Sequence, residues 1–175
     1  MPKAAEVVEI ERSRGGLLGY AARGLFFVAI GVQFAFDPFD LGDPNFYKPA
    51  IGWITLVFFG AASLVYVRRA FDRDPVVVTV SSDALWDRRL TKIPLRWLEV
   101  AVVGEASYRA QRWVTLSLTD RTTFASAATP FVRLIGPLNR LMGYEPLQMS
   151  SNGLKISHGE LLRLARDRWE RAHGV

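Results

Sequence analysis

Nineteen consecutive residues, 49–67, carry no charge, and the run closes on Arg68 and Arg69. As a helix rising 1.5 Å per residue it is roughly 28 Å long, close to the roughly 30 Å hydrocarbon thickness of a bilayer. The run predicts a transmembrane helix with a cytoplasmic C-terminal end.

A second apolar run, residues 15–36, precedes it and is also long enough to span. Arg23 and Gln33 interrupt it. An Arg at the centre of a span costs roughly 2.5–3.5 kcal/mol on insertion scales. Arg23 lies nearer the cytoplasmic end, where its stem snorkels toward the headgroups. Gly15 and Gly19 form a G-x-x-x-G, and Gly60 and Ser63 supply small residues on the other helix. Close helix packing is expected through these positions. The segment before the first span carries three Glu, and Phe34-Ala35-Phe36 offers no small-x-small cleavage pattern. An uncleaved anchor is therefore expected, not a signal peptide.

Residues 37–48 read as a turn-rich outer loop, with helix-breaking Asp37-Pro38 and Asp43-Pro44 and a relaxing Gly42. Twelve residues hold no domain, so the two spans form an antiparallel hairpin. Phe39, Phe46, Tyr47 and Trp53 fall where an interfacial aromatic belt belongs. Orientation follows from the flanks. Arg12 and Arg14 precede the first span, Arg68, Arg69 and Arg73 follow the second, and the loop holds Asp37, Asp40 and Asp43 against Lys48. The positive-inside rule predicts a multi-pass inner (plasma) membrane protein with both termini cytoplasmic.

The mean hydropathy of +0.12 hides this segregation of apolar residues into the first 70 positions. Net charge is +5, and residues 68–175 hold seventeen Lys and Arg against eleven Asp and Glu. In a chain tethered to a bilayer, an anionic lipid surface is the nearer partner for that excess. No nucleic-acid partner is expected, whereas a protein partner or a homo-oligomer stays open. The absence of cysteine excludes disulfides and thiolate metal sites.

From Asp74 the period changes to that of short antiparallel strands. Val76 to Val80 form a β-branched run started by Pro75, Ser81-Ser82-Asp83 is a turn, and Ala84-Leu85-Trp86 resumes. Ile93, Leu95 and Trp97 alternate, then Leu98, Val100 and Val102 continue with opposite phase, which predicts a bulge or two adjoining strands. Val114, Leu116 and Leu118 alternate with polar residues. Asp120-Arg121 reads as a hairpin turn into a strand over residues 122–127. Upstream, Val7, Val8 and Ile10 among glutamates suggest a short N-terminal strand that adds to the edge of the same domain.

Phe131, Leu134, Ile135, Leu138, Leu141 and Met142 lie on one face of a helix opened by Thr129-Pro130. Gly136-Pro137 is expected to kink or split it. A short strand is read at residues 154–156. Ser157 to Glu160 fit a capping box, opening a helix to about Ala172 that buries Leu161, Leu164, Ala165 and Trp169.

The strand-rich body, its C-terminal amphipathic helix and the segment Ile93-Pro94-Leu95-Arg96-Trp97-Leu98-Glu99-Val100, behind two spans, resemble a bacterial family of small membrane proteins. In that family a short charged strand and a two-helix hairpin precede a pleckstrin-homology-like (PH-like) domain. The resemblance implies an α+β membrane protein. It has an antiparallel transmembrane hairpin plus a PH-like, partly open antiparallel β-barrel capped by the C-terminal helix. The implied boundaries are a cytoplasmic strand in 1–14, a hairpin in 15–69 and a cytoplasmic PH-like domain in 74–175. It carries no catalytic residues. PH domains that bind phosphoinositides use a basic loop between early strands, and Arg88, Arg89 and Lys92 lie in the comparable connection. The resemblance thus implies headgroup contact through these three, with Arg68, Arg69 and Arg73 contributing. Only about five residues separate the second span from the first strand, so the domain is expected against the inner leaflet.

The two histidines, His158 and His173, fall at opposite ends of one helix and share no metal. No P-loop, dinucleotide fingerprint or nucleophile elbow occurs. No catalytic residue, metal or cofactor is assigned, and the chain is expected to be non-enzymatic. Three functions stand at this level. The first is an inner-membrane-anchored PH-like module binding a protein or anionic lipid. The second is an accessory subunit that assembles into a larger membrane complex through its hairpin. The third is a small transporter or membrane enzyme using Arg23 and Gln33.

Overall fold

The computed structural model describes residues 7–37 and 47–175. Residues 38–46 of the expected outer loop and all of the segment before Val7 lie outside the described residues. The chain divides into two compact units, one of residues 13–73 and one that joins residues 1–12 to 74–175.

The first unit is a pair of helices, α1 (Arg14–Phe36) and α2 (Tyr47–Ala70). Ser13 caps α1 by accepting from the Gly16 N–H at 3.2 Å. The helices run antiparallel. Tyr20 stacks on Tyr66 at one end, Phe27 on Phe59 in the middle, and Phe36 meets Trp53 at the other end. Both are long and apolar enough to cross a membrane. Close packing occurs at other residues than the G-x-x-x-G expected from the sequence. A Cβ on Gly15 or Gly19 would meet nothing within 4 Å. The seam instead uses Gly24 against Ser63, Gly31 against the Leu56 main chain, and Gly52 against Ala35. Ser63, which the sequence did single out, is buried and its hydroxyl donates to the Ala21 carbonyl at 3.3 Å. Gly24 and Gly31 stand seven residues apart, so they share the face turned to α2, and Gly15 and Gly19 do not.

The second unit is α+β. Strands β1 (Val8–Glu11), β2 (Val76–Val80), β3 (Ala84–Asp87) and β4 (Leu95–Arg96) form one antiparallel sheet in that order. Strands β5 (Val100–Tyr108), β6 (Gln111–Leu118) and β7 (Leu147–Met149) form a second, also antiparallel. The strands thus lie in two sheets and do not close a barrel. The phase change read after Trp97 is real: a 3-10 turn, Trp97–Glu99, leads into β5, whose register shifts between Val100 and Val102. β1 is held on both sides. It pairs with β2 from Val8 to Glu11, while Glu11 accepts from the Lys155 N–H and Arg12 bridges to Leu154.

Between β6 and β7 lie α3 (Arg121–Ala127) and α4 (Pro130–Leu141). The strand expected at residues 122–127 is therefore a helix. Asp120 acts as its N-cap, accepting from the Thr122 N–H at 3.0 Å, so Asp120-Arg121 starts a helix where a hairpin turn was expected. α4 runs unbroken through Gly136-Pro137, and residues 154–156 make only an isolated bridge. The last helix, α5 (His158–His173), has the capping box read from the sequence and ends at Gly174 in the left-handed region. It packs on β5, β6 and the 3-10 turn, with the Trp169 indole donating to the Val100 carbonyl at 2.7 Å. The core joins Val78, Val80, Leu85, Leu95, Trp97, Val100, Val114, Leu116, Met149 and Leu161, all 2% exposed or less.

Candidate functional site

The six basic residues read from the sequence divide between the units. Arg68 and Arg69 occupy the last turn of α2, where cations suit the negative end of the helix dipole, and Arg73 follows. All three side chains are exposed. Arg88, Arg89 and Lys92 lie on the connection from β3 to β4.

That connection is a pinned turn. The Asp87 carbonyl accepts from the N–H groups of Leu90 and Thr91, each at 2.9 Å, and the Arg88 N–H donates to Val77. Trp86 reaches across it to the Thr91 carbonyl at 3.2 Å. Its far side is tied to the segment before α4. Lys92 donates its N–H to Ala127 at 2.7 Å, and Thr129 donates to Leu90 at 2.9 Å and, by its hydroxyl, to Arg89 at 3.2 Å.

Within this turn the three basic side chains have different fates. Arg89 forks onto the Asp87 carboxylate through Nε at 3.0 Å and a terminal nitrogen at 2.7 Å, and also donates to the Ser150 carbonyl at 2.8 Å. Asp87 is 3% exposed, so Arg89 neutralises a buried carboxylate and ties β3 to the turn after β7. It is a structural clamp, and a headgroup-contact role for it is dropped. Arg88 pairs with Asp74 and lies over the Trp86 ring at 4.8 Å, while remaining part-exposed. Lys92 is exposed. Of the six, Arg68, Arg69, Arg73 and Lys92 thus turn their side chains to solvent.

Two other polar places occur in the β-containing unit. A groove of about 370 Å³ lies between the β2–β3 turn, the 3-10 turn and the end of α5, with Asp83, Arg96 and Arg171 at its rim and Trp97 in its wall. Elsewhere Glu105 on β5 takes Arg112 at 2.7 Å and the His158 ring at 3.0 Å. Among the described residues no group of three or more His, Asp and Glu is arranged to hold a metal ion. In the helical unit, Arg23 is exposed and lies over the Tyr20 ring, while the Gln33 amide donates to Asp37 at 2.7 Å. No hydrogen bond joins Arg23 to Gln33.

Three carboxylates outside the long helices are held below their ordinary pKa. The Arg112 hydrogen bond, then His158, does this for Glu105; the Ser157 hydroxyl and N–H do it for Glu160; the Arg88 guanidinium and the Val76 N–H do it for Asp74. A depressed carboxylate binds fewer protons folded than unfolded. Its stabilisation is present above the unfolded value, near 3.8 for Asp and 4.5 for Glu, and lost as pH falls through the folded one. The melting temperature of the β-containing unit is expected to hold near neutrality and drop on acidification below about pH 4.5. Glu105→Gln is expected to melt lower at pH 7 and to show a shallower acid slope. Thermal melts of both proteins from pH 7 to pH 3 check this, and parallel acid limbs would refute it.

The sequence singled out the apolar stripe of α4 without saying which way it faces. Only Val132 and Gly136 of that helix are buried. A Cβ on Gly136 would lie 2.9 Å from Phe124 and 3.4 Å from Pro146, so the helix sits on the unit by this small residue. Phe131, Leu134, Leu138, Leu141 and Met142 are exposed, Leu134 to 78% and Leu141 to 84%. Single exposed apolar residues are ordinary, but five on one face are not. The signal available in the sequence was the absence of acid: residues 121–144 hold three Arg and no Asp or Glu. No protein-family model, curated protein or solved structure matches the chain.

Proposed function

We propose that the chain is a non-enzymatic module held on the cytoplasmic face of the inner membrane by its helical hairpin, with a PH-like domain working at the anionic leaflet. The observation that carries this is the pairing of β1 with β2 across the hairpin. Val8 faces Val80 and Ile10 faces Val78, and the Arg12 N–H donates to the Pro75 carbonyl at 2.8 Å. The helical unit is therefore an insertion into a β-hairpin of the other unit. The chain leaves for the helices and returns from them at neighbouring points. Two spans inserted in that way keep both termini on one side, and the arginines at both ends of the hairpin favour the cytoplasmic side.

Exposure supports lipid as the solvent of α1 and α2. Leu25, Phe26, Ile54, Val57, Phe58 and Leu64 all lie open, the reverse of a helix pair in water. Four and three antiparallel strands in two sheets, closed by a C-terminal helix, support the PH-like reading of the other unit. Each exposed cation near an anionic leaflet contributes roughly 1 kcal/mol, and Arg68, Arg69, Arg73 and Lys92 are the residues assigned to that contact.

The orientation is tested in intact cells. The chain has no cysteine, so Asn45→Cys and Asp167→Cys each introduce a single thiol. A membrane-impermeant maleimide is expected to label position 45 from outside and position 167 only after permeabilisation. The opposite pattern, or labelling of both in intact cells, removes the proposal.

A further inference from the structure

We propose that α4 is a second membrane contact: it lies in the headgroup region of the same leaflet, with Phe131, Leu134, Leu138, Leu141 and Met142 among the lipids. The proposal rests on the anchoring of the chain by its hairpin and adds a site to it.

Among the described residues, the apolar stripe of α4 has no protein partner. At 100° per residue, Val132 and Gly136 point one way and the middle of the stripe points roughly 140° away from them. The packed side is secured by Gly136 against Phe124 and Pro146, and Arg140 lies over the Phe124 ring at 5.4 Å. Rotating the stripe inward would break these contacts. The stripe is thus held outward by the fold.

Charge selects the occupant. Arg133 and Arg140, both exposed, stand together on one side of the helix, roughly 130–150° from the middle of the stripe, and no acidic residue occurs between Arg121 and Tyr144. A helix with one apolar face, arginines on its polar side and no acid is of the kind that lies at an anionic leaflet, its apolar face buried by about 5–10 Å at the headgroup boundary.

The basic turn and the apolar helix are also joined. The N-terminus of α4 is bonded to the β3–β4 turn through Thr129 to Leu90 and Ala127 to Lys92. Lys92 and the apolar helix therefore move as one piece. The hairpin joins this unit at Arg12–Ser13 and Arg73–Asp74.

The test uses the full chain in bilayers containing anionic lipid. Leu134→Cys and Leu141→Cys are each labelled with an environment-sensitive fluorophore. Val57→Cys on α2 reports the anchored hairpin and Asp167→Cys on α5 reports water. The α4 probes are expected to emit blue-shifted light and to be quenched more by lipids spin-labelled near the headgroup than by lipids labelled deep in the chain. Val57→Cys should show the reverse order, and Asp167→Cys neither. Adding Leu138→Asp to the Leu134→Cys chain is expected to return that probe to the water-like signal while Val57→Cys stays quenched. A water-like signal at both α4 positions overturns the proposal. So does a blue shift without lipid quenching that grows with protein density, which assigns the face to a second copy. Loss of quenching at Val57→Cys overturns the anchoring itself.

Discussion

Gly52→Ala is expected to part the two long helices at the end near Phe36 and Trp53, whereas Gly60→Ala, eight residues along the same helix, leaves them together. A Cβ on Gly52 would lie 2.3 Å from the Ala35 nitrogen and 2.7 Å from both Ala35 Cα and the Phe34 carbonyl carbon. These are main-chain atoms of α1, held by its own hydrogen bonds, and they have no rotamer by which to yield. On Gly60 the nearest atom is a Val28 methyl at 4.0 Å. Overpacking of this kind costs about 1–3 kcal/mol. In the lipid proposed as their solvent, no hydrophobic effect pushes the helices back together, so lost van der Waals contact along the seam is not recovered. Alanine also raises helix propensity by about 0.5–1 kcal/mol over glycine, but it does so in both variants. The difference between them isolates the clash.

The chain has no cysteine, which makes the measurement direct. Cysteines replacing Phe36 and Trp53, whose rings lie 5.1 Å apart, are joined by a short bifunctional thiol reagent in bilayers. The joined fraction is expected to match the background in Gly60→Ala. In Gly52→Ala the equilibrium should shift toward the open pair by about fivefold or more. Equal yields in the two variants would mean that the backbones do not touch at Gly52.

The second large effect belongs to Trp97. Its side chain is fully buried, its indole donates to the Ser81 carbonyl at 3.0 Å, and its own N–H donates to Asp83 at 3.0 Å. It sits on the 3-10 turn where the chain passes from one sheet to the other, and α5 packs on that turn. Trp97→Ala removes the largest buried side chain and leaves the Ser81 carbonyl without its donor. Such a change costs about 3–5 kcal/mol. For a chain of this size that lowers the melting temperature of the β-containing unit by about 10 °C. Leu98→Ala, one residue on and 62% exposed, is the control and should stay within about 0.5 kcal/mol. Near-ultraviolet circular dichroism on heating reports both. If Trp97→Ala melts no lower than Leu98→Ala, the turn is not the keystone described here.

What could be read from residues alone followed from strong periods. The apolar runs of α1 and α2, the β-branched run of β2 and the capping box of Ser157 and Glu160 each carry their structure locally. Decisions made by partners were not legible. Gly15 and Gly19 match a packing motif, but the helix turns Gly24 and Gly31 to its neighbour. Thr122 and Thr123 favour a strand, yet Asp120 caps a helix through them. The three residues of β7 are too few for any period. In the run Arg88-Arg89, only the fold distinguishes Arg89, consumed by a buried carboxylate two residues back, from Lys92, which is not. For α4 the stripe was visible and its direction was not, because that depends on Gly136 finding Phe124.

The insertion of two apolar helices between β1 and β2 also orders the events of synthesis. β1 is made first and stays without its β2 partner until residues 76–80 leave the ribosome, after both helices. Residues 12–75 then have to be closed into a loop, an entropic cost that grows with the logarithm of its length. Once α1 and α2 pair, their free ends are already neighbours, and little of that closure is left. Helix pairing is therefore the jig on which the first sheet zips up. A chain whose hairpin fails to form leaves the ribosome with an open strand edge, the usual starting point of aggregation.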